Sequence, residues 1–258
     1  MKALCPFWYF WDTRLRRGSL AFHLTFEWLS ALLVVAFFGR GPLLGDLLQL
    51  PFAYLAFISI YEIGYICNDY FAARYEQGSR PRGADRYSNP QILAMIAIRI
   101  VAFAFFSKIL GRLDDPQWGG FYLALSLVFG LHNLPLPVEL KVITFTWLSV
   151  CRFAAPSLFL IRASHVPALF LSTLVFYSGF RLLPYMDSKG ILLMPGRRKP
   201  AFRLCYFVSV LPLAWYLRAH PGGDLFLCLN LYFVSLGWAG FLWSILRGSS
   251  SNPPSAPS

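Results

Sequence analysis

Residues 47–76 read LLQLPFAYLAFISIYEIGYICNDYFAARYE, and from Leu47 to Cys67 the only charge is Glu62. A bilayer's hydrocarbon core takes about 20 apolar residues of helix. This run therefore predicts a membrane-spanning helix that ends at Asn68-Asp69, where the chain turns polar. By the same measure the chain predicts about eight spans: Leu20 to Phe38, Leu47 to Cys67, Gln91 to Leu110, Trp118 to Leu134, Leu140 to Ile161, Pro167 to Leu183, Phe202 to Leu217 and Leu225 to Leu246. Proline and glycine punctuate the joins, at Gly41-Pro42, Asn89-Pro90, Pro135, Pro137 and Pro221-Gly222-Gly223. The expected architecture is all-α, a polytopic transmembrane helical bundle in which residues 1–247 form one domain. Residues 248–258, rich in Ser and Pro, read as a disordered tail.

Composition agrees. The 258 residues are 57% hydrophobic and 14% charged, with mean hydropathy +0.54, too little polar surface to coat a water-soluble globule of this size. Trp8, Trp11, Trp118, Tyr122, Tyr185 and Tyr216 fall near the ends of apolar runs, as residues of the membrane interface do. The five cysteines are scattered and mostly inside apolar runs, so they read as small apolar residues rather than as a disulfide or metal framework. No cleavable leader is apparent, and the first span is expected to remain as an anchor.

The net charge of +11 must gather in short loops. With a cytosolic N-terminus, one side collects Arg14, Arg16 and Arg17, the loop from Arg74 to Arg86, and the loop from Lys189 to Arg203; the other keeps Arg40, Lys108, Arg112, Arg162 and Arg218. This bias of roughly three to one predicts cytosolic N- and C-termini. The partners it favours are membrane lipids and a phosphorylated ligand, not nucleic acid.

Acidic residues are scarce, so their places are informative. Glu62, Asp69 and Glu76 recur every seventh residue, one stripe on a helix. Oxygen ligands near a membrane interface suit Mg²⁺, which takes one or two carboxylates and completes its shell with water and phosphate. Arg80-Pro81-Arg82 follows with guanidinium groups for phosphate. The plainer reading holds equally: Asn68-Asp69 ends a helix, Glu62 pairs with an arginine, and the loop cations face lipid. A second basic loop holds Arg181, Asp187 and Lys189 near its helix end, then Arg197, Arg198 and Lys199. Glu27, Arg99 and Arg152 fall inside predicted spans, where burial costs about 2.5–3.5 kcal/mol, so they are expected to face the interior and pair; Glu62 is a natural partner for Arg99 or Arg152.

With Asn68-Asp69 at the end of the second span, Arg80-Pro81 beyond it, Leu140-Lys141 opening the fifth and a basic loop after the sixth, the chain resembles the UbiA superfamily of intramembrane prenyltransferases. That family carries an Asn-Asp-x-x-Asp-x-x-x-Asp motif after its second helix and a second Asp-rich motif after its sixth. Here Ala72 replaces the middle Asp, Glu76 stands at the last acidic position, and Asp187 alone keeps an acid in the second motif. The resemblance implies a UbiA-like bundle of eight or nine helices and a Mg²⁺ cofactor. Asp69, Glu76 and Asp187 would serve as metal ligands and catalytic acids. Asn68, Glu62, Arg74, Arg80, Arg82, Arg181 and Lys189 would line the substrate. The ligand would be an isoprenoid diphosphate or a polyprenyl phosphate, and the reaction prenyl transfer or, alternatively, phosphoribosyl transfer onto the lipid phosphate. A reading from a different class also stands: a non-catalytic protein that binds lipid phosphate, or a transporter using Arg99 and Arg152.

Overall fold

The computed structural model describes residues 4–16, 20–71 and 87–249. Most of the described residues are helical, and the chain divides into two compact units, Met1–Ala163 and Ser164–Ser258. Six helices are long and apolar enough to cross a bilayer, so the protein is a multi-pass integral membrane protein.

The first unit begins with a short helix α1, α-helical at Trp8–Phe10 and π-helical at Trp11–Leu15. Then come α2 (Leu20–Phe38, with a π-helical stretch at His23–Trp28), α3 (Leu43–Tyr70), α4 (Asn89–Ile109), α5 (Pro116–His132) and α6 (Val138–Leu158). Local chemistry sets the starts. Ser88 and Gln91 form a reciprocal capping box ahead of α4, with Pro90 in its first turn. The Asp115 carboxylate accepts the Gln117 and Trp118 N–H groups at the start of α5. α3 starts four residues earlier than the apolar run, because Pro42 precedes it in extended geometry and Asp46 turns its carboxylate back to the Gly41 N–H at 2.7 Å.

The predicted fourth and fifth spans form α5 and α6, but they are not among the six: α5 has 17 residues, and α6 carries Glu139, Lys141 and Arg152. Trp118 and Tyr122, read from the sequence as interfacial rings, turn their side chains into the protein. They are 2% and 3% exposed in the core beneath α4, where Trp118 Nε1 donates to Ser107 Oγ at 2.9 Å. Once that indole N–H has a buried partner, the ring no longer needs a polar boundary.

At one end of the unit the segments after α2, α4 and α6 meet. Gly39 bridges Ile161, the Arg40 N–H donates to the Leu160 carbonyl, and Arg112 Nη2 donates to the Phe159 carbonyl. At the other end Asn133 Nδ2 reaches the Gly64 carbonyl at 3.4 Å. α2 to α6 therefore alternate in direction over the full height of the unit.

The second unit holds α7 (Ala163–Ser188, π-helical at Thr173–Gly179), α8 (Pro200–Leu217, interrupted at Val210) and α9 (Gly223–Ser249). Phe176, Phe207, Phe226 and Phe233 form its aromatic core. Gly190, at φ +74°, ends α7 in a left-handed conformation that L side chains rarely adopt, and the Ile191 N–H returns to the Met186 carbonyl.

Candidate functional site: a charged layer in the first unit

The carboxylates of α3 face inward, as the seven-residue spacing requires, and what they face is the chain's own N-terminus. α1 packs into the bundle with Tyr9, Phe10, Thr13 and Leu15 buried. Its first turn has no side-chain cap of its own, and Phe7 precedes it at φ 72°. Glu62 supplies the cap from another helix: Oε2 accepts the Phe7 N–H at 2.9 Å and Oε1 the Phe10 N–H at 2.6 Å. Arg99 of α4 neutralises it, Nε donating to Oε2 at 2.8 Å, while Nη1 and Nη2 reach the Met95 and Cys5 carbonyls. Glu62 and Arg99 are both fully buried.

Two turns along α3, Asp69 holds the other end of α1. Arg14 Nη2 lies 2.9 Å from both carboxylate oxygens, and the Tyr9 hydroxyl donates to Oδ2 at 2.8 Å. Asn68 Nδ2 approaches Oδ1 at 3.4 Å. Burial, reinforced by the Asp69 charge, pushes the Tyr9 phenol far above the usual range, so it stays a donor. Burial alone would lower the Arg14 pKa; the Asp69 carboxylate together with Tyr65 and Tyr9 outweighs it and raises the value. Arg14 Cζ lies 4.2 Å from the centre of the Tyr65 ring. Its Nε and Nη1, sealed from solvent, have no hydrogen-bond partner among the described residues. A buried donor left so costs about 1–3 kcal/mol.

A third pair joins through Tyr65. Arg152 of α6 donates from Nε to Glu27 Oε1 at 2.7 Å and from Nη2 to Oε2 at 3.1 Å, and its Nη1 bonds the Tyr65 hydroxyl. His23 Nδ1 lies 3.0 Å from Glu27. Glu27, Glu62 and Asp69 thus balance Arg152, Arg99 and Arg14 inside a unit with little water to solvate them. Arg14, His23 and Glu27 all lie on π-helical turns, a rare geometry that concentrates at functional sites.

Comparison with known protein families, with curated proteins and with solved structures returns no match. What the chain can do must therefore be read from its own side chains.

Of the residues expected at a metal, Asp69 has both oxygens engaged by Arg14 and Tyr9. Asp187 lies in the second unit, where Oδ1 accepts the Met194 N–H at 2.9 Å and Oδ2 pairs with Arg197. Among the described residues no three acidic, cysteine or histidine side chains gather as metal ligands. Asp69 and Asp187 are thus each engaged by guanidinium, hydroxyl or N–H donors of the chain itself. Glu76, Arg74, Arg80 and Arg82 lie outside the described residues. In the second unit Arg181 Nη1 donates to the Tyr177 hydroxyl at 2.7 Å, and Lys189 lies over the Tyr185 ring.

Beyond the charged layer, toward the start of α3, is a cavity of about 400 Å³. It is almost wholly apolar, lined by Phe7, Trp28, Ala31, Pro51, Tyr54 and Pro156 among others. Two of these are prolines inside helices, where the missing N–H loosens packing against the preceding turn. From Tyr54 to Asp69 is roughly 22 Å along the helix at 1.5 Å per residue. Sequence reasoning missed Arg14 and Tyr9, grouped with a basic cluster or left unremarked. The signal that pointed to them was α3's inward acids, which needed donors from somewhere.

Proposed function

We propose that this chain is a UbiA-type membrane protein that binds an isoprenoid diphosphate or a polyprenyl phosphate at the cytosolic end of its first unit and acts on it as a transferase. The observation that carries the reading is the pairing of a charged layer, held by α3 at Asn68-Asp69, with an apolar cavity of about 400 Å³ deeper in the same unit. Phosphate would sit against guanidinium groups and hydrocarbon would run toward Trp28 and Tyr54; pockets of this size and lining suit an apolar chain. Because Asp69 is committed to Arg14 and Tyr9, no step is routed through Mg²⁺ here. Cations at the site would stabilise a departing diphosphate directly.

The same commitment of Asp69 favours a second reading, a protein that binds lipid phosphate without chemistry. One experiment separates them. Purified protein in detergent is incubated with radiolabelled prenyl diphosphates and aromatic acceptors, and with phosphoribosyl pyrophosphate plus polyprenyl phosphate, while thermal protection is followed in parallel. Protection with product supports the transferase; protection without product in any mixture leaves the binding protein. No protection by any lipid phosphate removes both.

A further inference from the structure

We infer that Arg14 is an anion-binding residue, offering its Nε and Nη1 to a phosphate or diphosphate group while Asp69 keeps Nη2. The inference deepens the function proposed above and rests on it only for the lipid part of the ligand.

The contrast among the three buried guanidinium groups of the first unit carries the assignment. Arg99 has a partner on each nitrogen: Glu62, the Met95 carbonyl and the Cys5 carbonyl. Arg152 likewise has one on each: Glu27, Tyr65 and, on Nη2, Glu27 and His23. Arg14, with a side chain only 10% exposed, has one nitrogen bonded and two with no hydrogen-bond partner among the described residues. A guanidinium cannot shed its charge, so the demand of those N–H groups is permanent. Asp69 cannot meet it, since its oxygens already serve Nη2 and the Tyr9 hydroxyl. What fits is a second, external acceptor carrying negative charge, and tetrahedral phosphate oxygens match two N–H groups of one guanidinium. The guanidinium lies over the Tyr65 ring, and Arg14 is carried on the π-helical turn from Trp11 to Leu15.

Both unpartnered nitrogens are sealed from solvent, so the anion enters as α1 shifts, and Asp69 competes with it for the same charge. Asp69 is then a positioning residue that restrains Arg14. This reverses the expectation for a metal ligand: neutralising Asp69 should help the anion, not expel it.

The test titrates inorganic pyrophosphate and, separately, farnesyl diphosphate into the purified full chain in detergent, with and without EDTA, by calorimetry. Both are expected to bind with EDTA present. Arg14→Gln should weaken both by about tenfold or more, the loss of charged hydrogen bonds, and Arg14→Lys should weaken them less. Asp69→Asn should bind as tightly as wild type or tighter. If Arg14→Gln leaves Asp69 unpaired and the protein unfolds, Arg14→Gln with Asp69→Asn replaces it and is compared with Asp69→Asn alone. Wild-type affinity in the Arg14 variants, binding that needs Mg²⁺ and disappears in Asp69→Asn, or no binding of either probe by wild type overturns the inference. Pyrophosphate bound through Arg14 with no affinity for farnesyl diphosphate or polyprenyl phosphate upholds it and sinks the lipid reading. Farnesyl diphosphate bound equally by the Arg14 variants does the reverse.

Discussion

Glu62 and Arg99 show what a buried charge pair does in this protein. Each was a lone ionisable residue in an apolar run; together with the N–H groups of Phe7 and Phe10 they form one neutral, hydrogen-bonded unit. Removing one member leaves the other charged and unpaired, at a cost of about 3–5 kcal/mol. Arg99→Leu should lower the midpoint of unfolding in detergent sharply, whereas Glu62→Gln with Arg99→Met should recover most of the loss; equal loss in both would show that the pair is not the unit. Tyr9 gives a second test at this scale. Its phenol pKa lies above the free value because burial and the neighbouring Asp69 charge oppose the phenolate. The stabilisation is complete below the unfolded pKa of about 10 and is lost as pH rises through the higher folded value. The ultraviolet phenolate signal of wild type minus Tyr9→Phe should therefore stay flat at pH 10–11, and a transition at the free-tyrosine value would contradict the buried Tyr9–Asp69 contact.

Among the helices, α3 was the most legible and α1 the least. The apolar run, the end near Asn68-Asp69 and the inward stripe of Glu62 and Asp69 all follow from spacing. That Glu27 and Arg99 would face the interior and pair was also readable, because hydrocarbon leaves a charge no other outlet. The occupant of that interior was not. Residues 7–15, read as an interfacial aromatic and basic stretch, supply the donors, and the spacing of acids along α3 cannot reveal that an arginine far away in the chain pairs with Asp69. Close helix approach is visible at Gly64, where a Cβ would fall onto the Phe129 ring of α5. Small residues let membrane helices pack closely. Gly64→Ala should then destabilise by about 1–3 kcal/mol, the usual cost of overpacking, and Phe129→Leu should relieve part of it. If Gly64→Ala unfolds at the wild-type midpoint, α3 and α5 do not pack as described.

For the molecule as a whole, α5 and α6 decide how many helices cross the membrane. Neither meets the length and apolarity that mark the six spans, yet in the first unit they run its full height, since the segments after α2, α4 and α6 join at one end while Asn133 lies at the other beside Gly64. A pair of helices that only dipped into the bilayer would leave Leu134, in the turn between them, buried in the bilayer at the tip of the hairpin, with Leu113 and the segment after α6 on one side. A crossing α5 puts Leu113 and Leu134 on opposite sides. Both are half exposed and accept a probe. With the five native cysteines replaced, Leu113→Cys and Leu134→Cys should react with a membrane-impermeant maleimide in vesicles of opposite orientation. The lysine and arginine bias predicts that Leu134 is the one labelled from the cytosolic side, with the Asp69 end of α3. A Leu134→Cys that reacts in neither orientation, or from the same side as Leu113→Cys, would leave the bundle with six crossings and move the charged layer's Arg152, on α6, out of a spanning helix.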